Sequence, residues 1–583
     1  MISLAAGRTR HRGDAVGVLD AVIDAVLGLG ARSHGHACAL LLALCLACFL
    51  PGLASLQPMD RDEPRFAQAT KQMLETGDLV DIRFQAEARH KKPVGIYWMQ
   101  AATVAAGEAL GVPGARTAIA LYRIPSLLGA VAAGLLTYWA ALVFTTRRGA
   151  FLAAALFSAC LMLSAEAHLA KTDAVLAACS VAAMGGLARA WIWRGRRDLG
   201  GPSVLLFWVA MALGILVKGP MVPLFVGLPA LVLSLRLRSG SWLLALRPAF
   251  GLGLTVLIVA PWFLAIAWKS GGAFFGTAVG GDMLAKVGGA SEKHGAPPGS
   301  YLLMVFATFW PGAAFAALGL PLAWANRRKD AATFLFAWIV PAWLLFEAVP
   351  TKLPHYVLPL MPAVAILAVM ALVPGSALDP WREGSLPGRI RHGLAACLVV
   401  LIPVGLALGL AGAAWHFDRA IPWAGLPLLS AACLVAFLSA LALMRGGHER
   451  ALALGVLASM LLLPGVFGLT QPALAALKVS PRLASIRDGL PCQPAVASLG
   501  YREPSLVFLI GTDLTMLNTG AEARDFLKAG SCRLVFVEGY FAAEFEVAKA
   551  DAVVGLVSTV GQVSGFNLNS GRRIDLSAYA VTP

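Results

Sequence analysis

Long apolar runs separated by short basic loops organise most of this sequence. Runs near residues 38–56, 118–144, 149–164, 172–193, 203–217, 220–235, 249–268, 301–323, 331–349, 355–373, 392–415, 421–444 and 450–469 each approach the length of about 20 apolar residues that crosses a bilayer. The pattern predicts about thirteen spans, several of them short or interrupted by Pro or Gly. Two regions break the rhythm. Residues 57–117 form a long polar loop after the first run, and residues 480–583 have a soluble composition. In that tail, strand-like runs at Ala495–Leu499, Arg533–Val537 and Val553–Val560 alternate with helical stretches at 503–510, 521–529 and 541–550. Such alternation predicts a small α/β domain.

Composition agrees with the spans and excludes an ordinary soluble enzyme. Of 583 residues, 58% are hydrophobic and 14% charged, where a soluble domain carries about 25% charged residues. The net charge of +15 would point to nucleic acid in a soluble protein. Here most basic residues fall in alternate loops, at Arg147/Arg148, Arg194/Arg196/Arg197, Arg236/Arg238/Arg247, Arg327/Arg328/Lys329, Arg382/Arg389/Arg391 and Arg445/Arg450. That phase predicts a cytoplasmic tail over 1–36, a membrane domain over 37–475 and an external domain over 480–583, with no nucleic-acid partner. The first 36 residues are too charged for a signal peptide, and 15–30 suit a short amphipathic helix or a poorly ordered tail. No CxxC or Cys/His metal spacing occurs among the 9 cysteines. Cys492 and Cys532 are the only two in the tail, where either a disulfide or two free buried thiols would fit.

Candidate chemistry collects on the external side. The first loop opens with Met59-Asp60-Arg61-Asp62-Glu63-Pro64-Arg65-Phe66, predicting a helix with an apolar face of Phe66, Thr70, Met73 and Leu74 that ends at Gly77. Alone this reads as an interfacial helix. Further ionisable groups at the external ends of spans change the picture, because burying them is costly and usually serves function. They are Lys91-Lys92-Pro93, Arg123, His168, Lys171-Thr172-Asp173, Lys218-Gly219-Pro220, His294 in a Gly-rich loop over 270–300, and Thr351-Lys352-Leu353-Pro354-His355-Tyr356. Two carboxylates among several cations suit an anionic substrate and a positioned base. Each lysine has a plainer alternative, snorkelling at headgroup level.

The order of these motifs resembles a known family. Asp62-Glu63-Pro-Arg65-Phe66-Ala67, "MLETGDLV", Lys92-Pro93 before "IYW", then "LYRIPSLLGA", "AKTDAVLAA", "LVKGP", "EKHGAPP" and "TKLPHYVLPLMP" are similar to GT-C fold glycosyltransferases of family 39. That family includes the aminoarabinose lipid A transferases and protein O-mannosyltransferases. The resemblance covers roughly residues 55–365. It implies an all-α polytopic fold in the bacterial inner membrane and a polyprenyl-phosphate sugar donor. The implied acceptor is lipid A, another glycan or a protein, and the expected state is a monomer. Carried over by position, Asp62 and Asp173 match the family's acidic residues beside the reacting sugar, and Lys92 matches its phosphate-binding lysine. Arg65, Lys218 and Lys352 are expected near the donor phosphate, with Glu63, Lys91, Arg123, His294 and Tyr356 lining the substrate cavity.

Departures limit the transfer. A Tyr-Phe-Glu-Lys-Pro stretch in the aminoarabinose enzymes reads Arg89-His90-Lys91-Lys92-Pro93 here. A protonated lysine cannot ligate a metal, so the metal associated with that glutamate is in doubt. Asp60, Asp62, Glu63, His90 and His294 remain an alternative divalent set. A secondary transporter or lipid flippase would also show many spans with buried charge, but the internal repeat common in transporters is not visible.

Overall fold

The computed structural model describes residues 14–59, 62–195, 199–284, 295–375, 378, 386–550, 557–567 and 570–581. Among them, nine helices are long and apolar enough to cross a membrane, and Arg147–Ser158 with Leu161–Ala167 forms a tenth candidate bent by 61°. Three shorter apolar helices, His34–Phe49, Met221–Leu237 and Gly312–Ala325, coincide with further expected runs. Every run in the sequence thus has a helical counterpart, and the protein is a multi-pass membrane protein. The N-terminal stretch forms the helix Asp14–Arg32, which is tied to the bundle by an Arg450–Asp20 ion pair at 2.6 Å.

Burial separates central from peripheral spans. Asp173–Ile192 is 94% buried inside the protein, whereas Pro248–Lys269 and Gly388–Asp418 are 22% buried and present Leu257, Trp268, Leu401 and Leu408 outward. In water such surfaces would aggregate; against lipid tails they cost nothing. Close approach around the central helix needs small residues. A Cβ on Gly129 would lie 2.8 Å from the Val175 nitrogen, so this glycine lets the span Ile119–Ala141 meet the first turn of Asp173–Ile192. Gly95 does the same against Leu216, two residues before Lys218. The two contacts lie beside Asp173 and Lys218.

The first loop folds as the helix Asp62–Thr76, a small antiparallel hairpin of β1 (Arg83–Phe84) and β2 (Glu87–Ala88), and the helix Gly95–Ala109. Asp62–Thr76 departs from the expected interfacial helix. It is buried on nearly every side from Glu63 to Met73, polar positions included.

The tail forms the expected α/β domain. Strands β3 (Ala495–Leu499), β4 (Thr515–Leu517), β5 (Arg533–Glu538), β6 (Val557–Phe566) and β7 (Arg573–Val581) make one sheet in the order β4-β3-β5-β7-β6. β3 runs parallel to β4 and β5, while β7 is antiparallel to β5 and β6. Successive residues of β5 serve opposite faces: Leu534 and Phe536 enter one core with Leu506 and Leu576, and Val535 and Val537 enter another with Leu527 and Phe545. Two covered faces explain the continuous apolar run in the sequence. The helix Gly520–Lys528 starts on Thr519, whose hydroxyl accepts from the Glu522 amide, while the Glu522 carboxylate accepts from the Asn518 amide. Strands β4 and β7 complete a sheet of which the sequence pattern showed only three strands.

Cys492 and Cys532 are joined in a disulfide across 40 residues, which resolves the alternatives left by the sequence. Closing a loop of that length restricts the unfolded chain by about 4 kcal/mol in the chain-entropy model. Replacing either cysteine by serine should make the tail domain, and not the membrane domain, sensitive to limited proteolysis. Equal protection with and without reductant would refute a stabilising role.

Candidate functional site

The site is built on the first turn of Asp62–Thr76 and the ends of four spans. Glu63 and Arg123 are both fully buried. The Arg123 guanidinium donates from Nε to Glu63 Oε1 at 2.7 Å and from Nη2 to Oε2 at 3.0 Å, and its other protons reach the carbonyls of Leu53, Leu56 and Gln57. Glu63 in turn accepts from the amides of Met59 and Ala170. Buried ions need this density of partners. The pair therefore does not line an open cavity as expected from the sequence. It fixes the end of the first span, the loop helix and the turn before Asp173 to one another.

Next to Glu63, Asp62 opens the helix with its side chain half exposed and 3.9 Å from Arg65 Nη1. Its negative charge suits a helix N-terminus. Lys92 is half-buried and Lys91 exposed, just before Gly95–Ala109. Behind them the Tyr97 and Phe66 rings meet at a tilt with centroids 5.3 Å apart, and Arg89 lies over the Phe66 ring at 5.0 Å. Burial pushes the Tyr97 phenol up from its ordinary pKa, with Arg89 opposing.

A second group of charges lies deeper. Asp173, the first residue of Asp173–Ile192, pairs with Lys218, the last residue of Gly201–Lys218. Opposite helix ends are the favoured places for these two charges. His355 lies between carboxylates, with Nε2 3.7 Å from Asp173 and Nδ1 3.5 Å from Glu166. Lys171 is 3.9 Å from Glu166. Lys218 sits over the Tyr356 ring at 5.4 Å, and the His355 and Tyr356 rings meet edge to face.

Three expected participants are engaged elsewhere or not described. Lys352 donates to the carbonyls of Phe346, Glu347 and Val349, closing the C-terminal end of the helix Asp330–Ala348. His168 bonds the Ser164 and Pro51 carbonyls and stacks on Phe467 at 4.8 Å. His294 lies outside the described residues, as do residues 285–293 before it. In the sequence His355 stands within its motif without a role, and Glu166 is not singled out. An acidic residue inside the apolar stretch around 161–167 was the available signal for Glu166.

One cluster offers the donor types of a divalent-metal site. Glu166, Asp173 and His355 bring ligand atoms within 4.8 Å of one another. Both carboxylates already face an ammonium group, Lys171 or Lys218, and a dication would have to displace them. The alternative set does not assemble among the described residues: Asp60 and His294 lie outside them, Glu63 holds Arg123, and His90 bonds Asp81 at 2.7 Å. The residues present do not fit a resident metal.

The bundle, its first-loop helix and the small α/β tail domain together have the GT-C fold. Comparison with known proteins agrees. The chain is 29% identical over 350 residues to undecaprenyl phosphate-alpha-4-amino-4-deoxy-L-arabinose arabinosyl transferase 1 of Pseudomonas fluorescens, covering 57% of this chain and 59% of that protein. The corresponding transferase of Erwinia tasmaniensis is 28% identical over 313 residues, covering 52% and 54%. The chain thus matches rather more than half the length of these curated relatives. No family model matches it. Its fold is that of ArnT from Cupriavidus metallidurans bound to undecaprenyl phosphate, with a TM-score of 0.67 and 21% identity over 92% of this chain and 97% of that one.

Removing one partner of the Glu63–Arg123 pair should cost roughly 3–5 kcal/mol, because a buried charge is left uncompensated. Glu63→Gln or Arg123→Leu is expected to lower the thermal midpoint in detergent sharply. An unchanged midpoint would show that the loop helix is anchored by other contacts.

Proposed function

We propose that this protein is a membrane glycosyltransferase that moves a sugar from polyprenyl phosphate to an acceptor at the external face of the bacterial inner membrane. The observation that carries this reading is that Glu63, the neighbour of Asp62, accepts from the amide of Ala170, three residues before Asp173 of the buried Asp173–Lys218–His355 cluster. The similarity to arabinosyl transferases that use undecaprenyl phosphate sugars supports the donor class. The rival transporter reading draws no support from these relatives.

In the proposed reaction, Asp62 orients and deprotonates the acceptor hydroxyl. The oxygen attacks the anomeric carbon as the bond to phosphate breaks, inverting the configuration without a covalent enzyme intermediate. Lys92, with Arg65 and Lys218, offsets the charge gained by the departing polyprenyl phosphate, a task suited to preorganised cations. Asp173 orders Lys218 and His355, while Tyr356 and Lys91 line the approach. The acceptor is lipid A, another envelope glycan or a protein. The Arg89-His90-Lys91-Lys92 stretch stands in place of the family's Tyr-Phe-Glu-Lys, so the identity of the sugar is not carried over from the aminoarabinose enzymes. The alternation of basic loops supports a cytoplasmic N-terminus and a periplasmic tail domain.

Purified protein given a polyprenyl-phosphate sugar and envelope lipid in detergent should release polyprenyl phosphate and glycosylate the lipid. Asp62→Asn is expected to lower turnover by about a hundredfold or more, the usual worth of a positioned base. Lys92→Ala should lose a comparable factor through the leaving phosphate. Full activity of either variant, read by lipid mass spectrometry, would remove that residue from the mechanism.

A further inference from the structure

We propose that the tail domain is a positioning part of the active site: Phe508 and Thr512, more than 400 residues from Asp62, clamp the helix that carries it. This inference rests on the glycosyltransferase reading for its consequence, but not for its geometry.

The helix Asp62–Thr76 has two working faces. Glu63, Phe66 and Thr70 recur at helical spacing and contact the membrane domain, through Arg123, Tyr97 and the Gln100 side chain, to which the Thr70 hydroxyl donates at 2.7 Å. Gln68, Lys71 and Glu75 recur at the same spacing on another face, and each meets the tail domain. Gln68 Nε2 donates to Thr512 Oγ1 at 2.6 Å, and that hydroxyl donates to Glu75 Oε2 at 2.6 Å. Lys71 Nζ donates to the Phe508 carbonyl at 3.1 Å. Gln85, just after β1, donates to the carbonyls of Thr512 and Leu514, and it exchanges two hydrogen bonds with Gln72.

Phe508 is the apolar centre of this contact. It projects from the helix Pro504–Ile510, is fully buried, and packs among Ala67, Val104, Ile119, Tyr122 and Ala170. Its ring meets Tyr122 edge to face at 5.2 Å. Tyr122 neighbours Arg123, and Ala170 donates its amide to Glu63, so the plug packs against the residues that hold the Glu63 carboxylate. Burial also draws the Lys71 ammonium below its ordinary pKa, with Glu75 opposing. The helix is thus held from both sides, and a gap on the tail side would leave it free to tilt about the Glu63–Arg123 pair. The Cys492–Cys532 disulfide joins the two ends of the segment containing Phe508 and Thr512, so the clamp is itself stapled.

The test uses the full-length protein in lipid nanodiscs, with variants Phe508→Ala, Phe508→Leu and Thr512→Val. Hydrogen exchange of Asp62–Thr76 and sugar transfer are both measured. A small displacement of a catalytic group can cost about a hundredfold, so kcat should fall at least about tenfold in Phe508→Ala and Thr512→Val. The donor KM should stay within about twofold, since ground-state binding is left intact. Exchange of the helix should rise, and Phe508→Leu should recover most of the activity. As a control, Phe566→Ala removes a different contact between the tail and the membrane domain, against Phe417, and should leave kcat unchanged. Wild-type kcat in Thr512→Val, or an equal loss in Phe566→Ala, would overturn the proposal. If Phe508→Ala does not fold, Thr512→Val decides. If the wild type transfers no sugar, the enzymatic reading fails, and unchanged exchange in Thr512→Val would separately refute the clamp.

Discussion

A carboxylate and a guanidinium with no access to water, Glu63 and Arg123, set the geometry on which the candidate site depends. Neither charge could stay in an apolar bundle alone, because desolvation of a single ion costs more than local packing returns. Together, and with five backbone groups around them, they make a rigid joint between the first span, the second span, the loop helix and the turn before Asp173. Asp62 is the next residue along the chain. Its position follows from a bond its neighbour makes.

That joint changes the meaning of the external cations. Counted along the chain, they form a strongly positive patch facing two acids. In the fold many are already matched: Arg123 by Glu63, Lys218 by Asp173, Lys171 by Glu166, and Lys352 by the carbonyls at a helix end. Arg65, Lys91 and Lys92 lie nearer the surface, with Arg65 3.9 Å from Asp62.

The tail domain belongs to the same mechanical unit. Gln68, Lys71 and Glu75 would read as a water-facing stripe in any isolated helix, and instead bond a segment from the far end of the chain. Burying a polar face in this way is tolerable only where each group finds a partner, which makes the contact specific as well as stable. The membrane domain and the tail therefore meet through hydrogen bonds, the Phe508 plug and the Phe566–Phe417 contact.

The sequence by itself determined the spans, the polar loop, the strand-and-helix alternation of the tail and the similarity to the GT-C enzymes. These follow from hydrophobic periodicity and local order, which any stretch of chain carries within itself. It also marked nearly all the ionisable residues of the external face, because charge near a span end is conspicuous wherever it occurs. Only the tertiary structure decided which of them bond one another. Glu63 and Arg123 are 60 positions apart, and Glu166 meets His355 across two separate helices. Whether a lysine faces substrate or caps a helix, and whether a polar stripe meets water or another domain, depends on partners brought near by folding. Pairing of charges distant in sequence leaves no local pattern, and that is why the residues were legible and their roles were not.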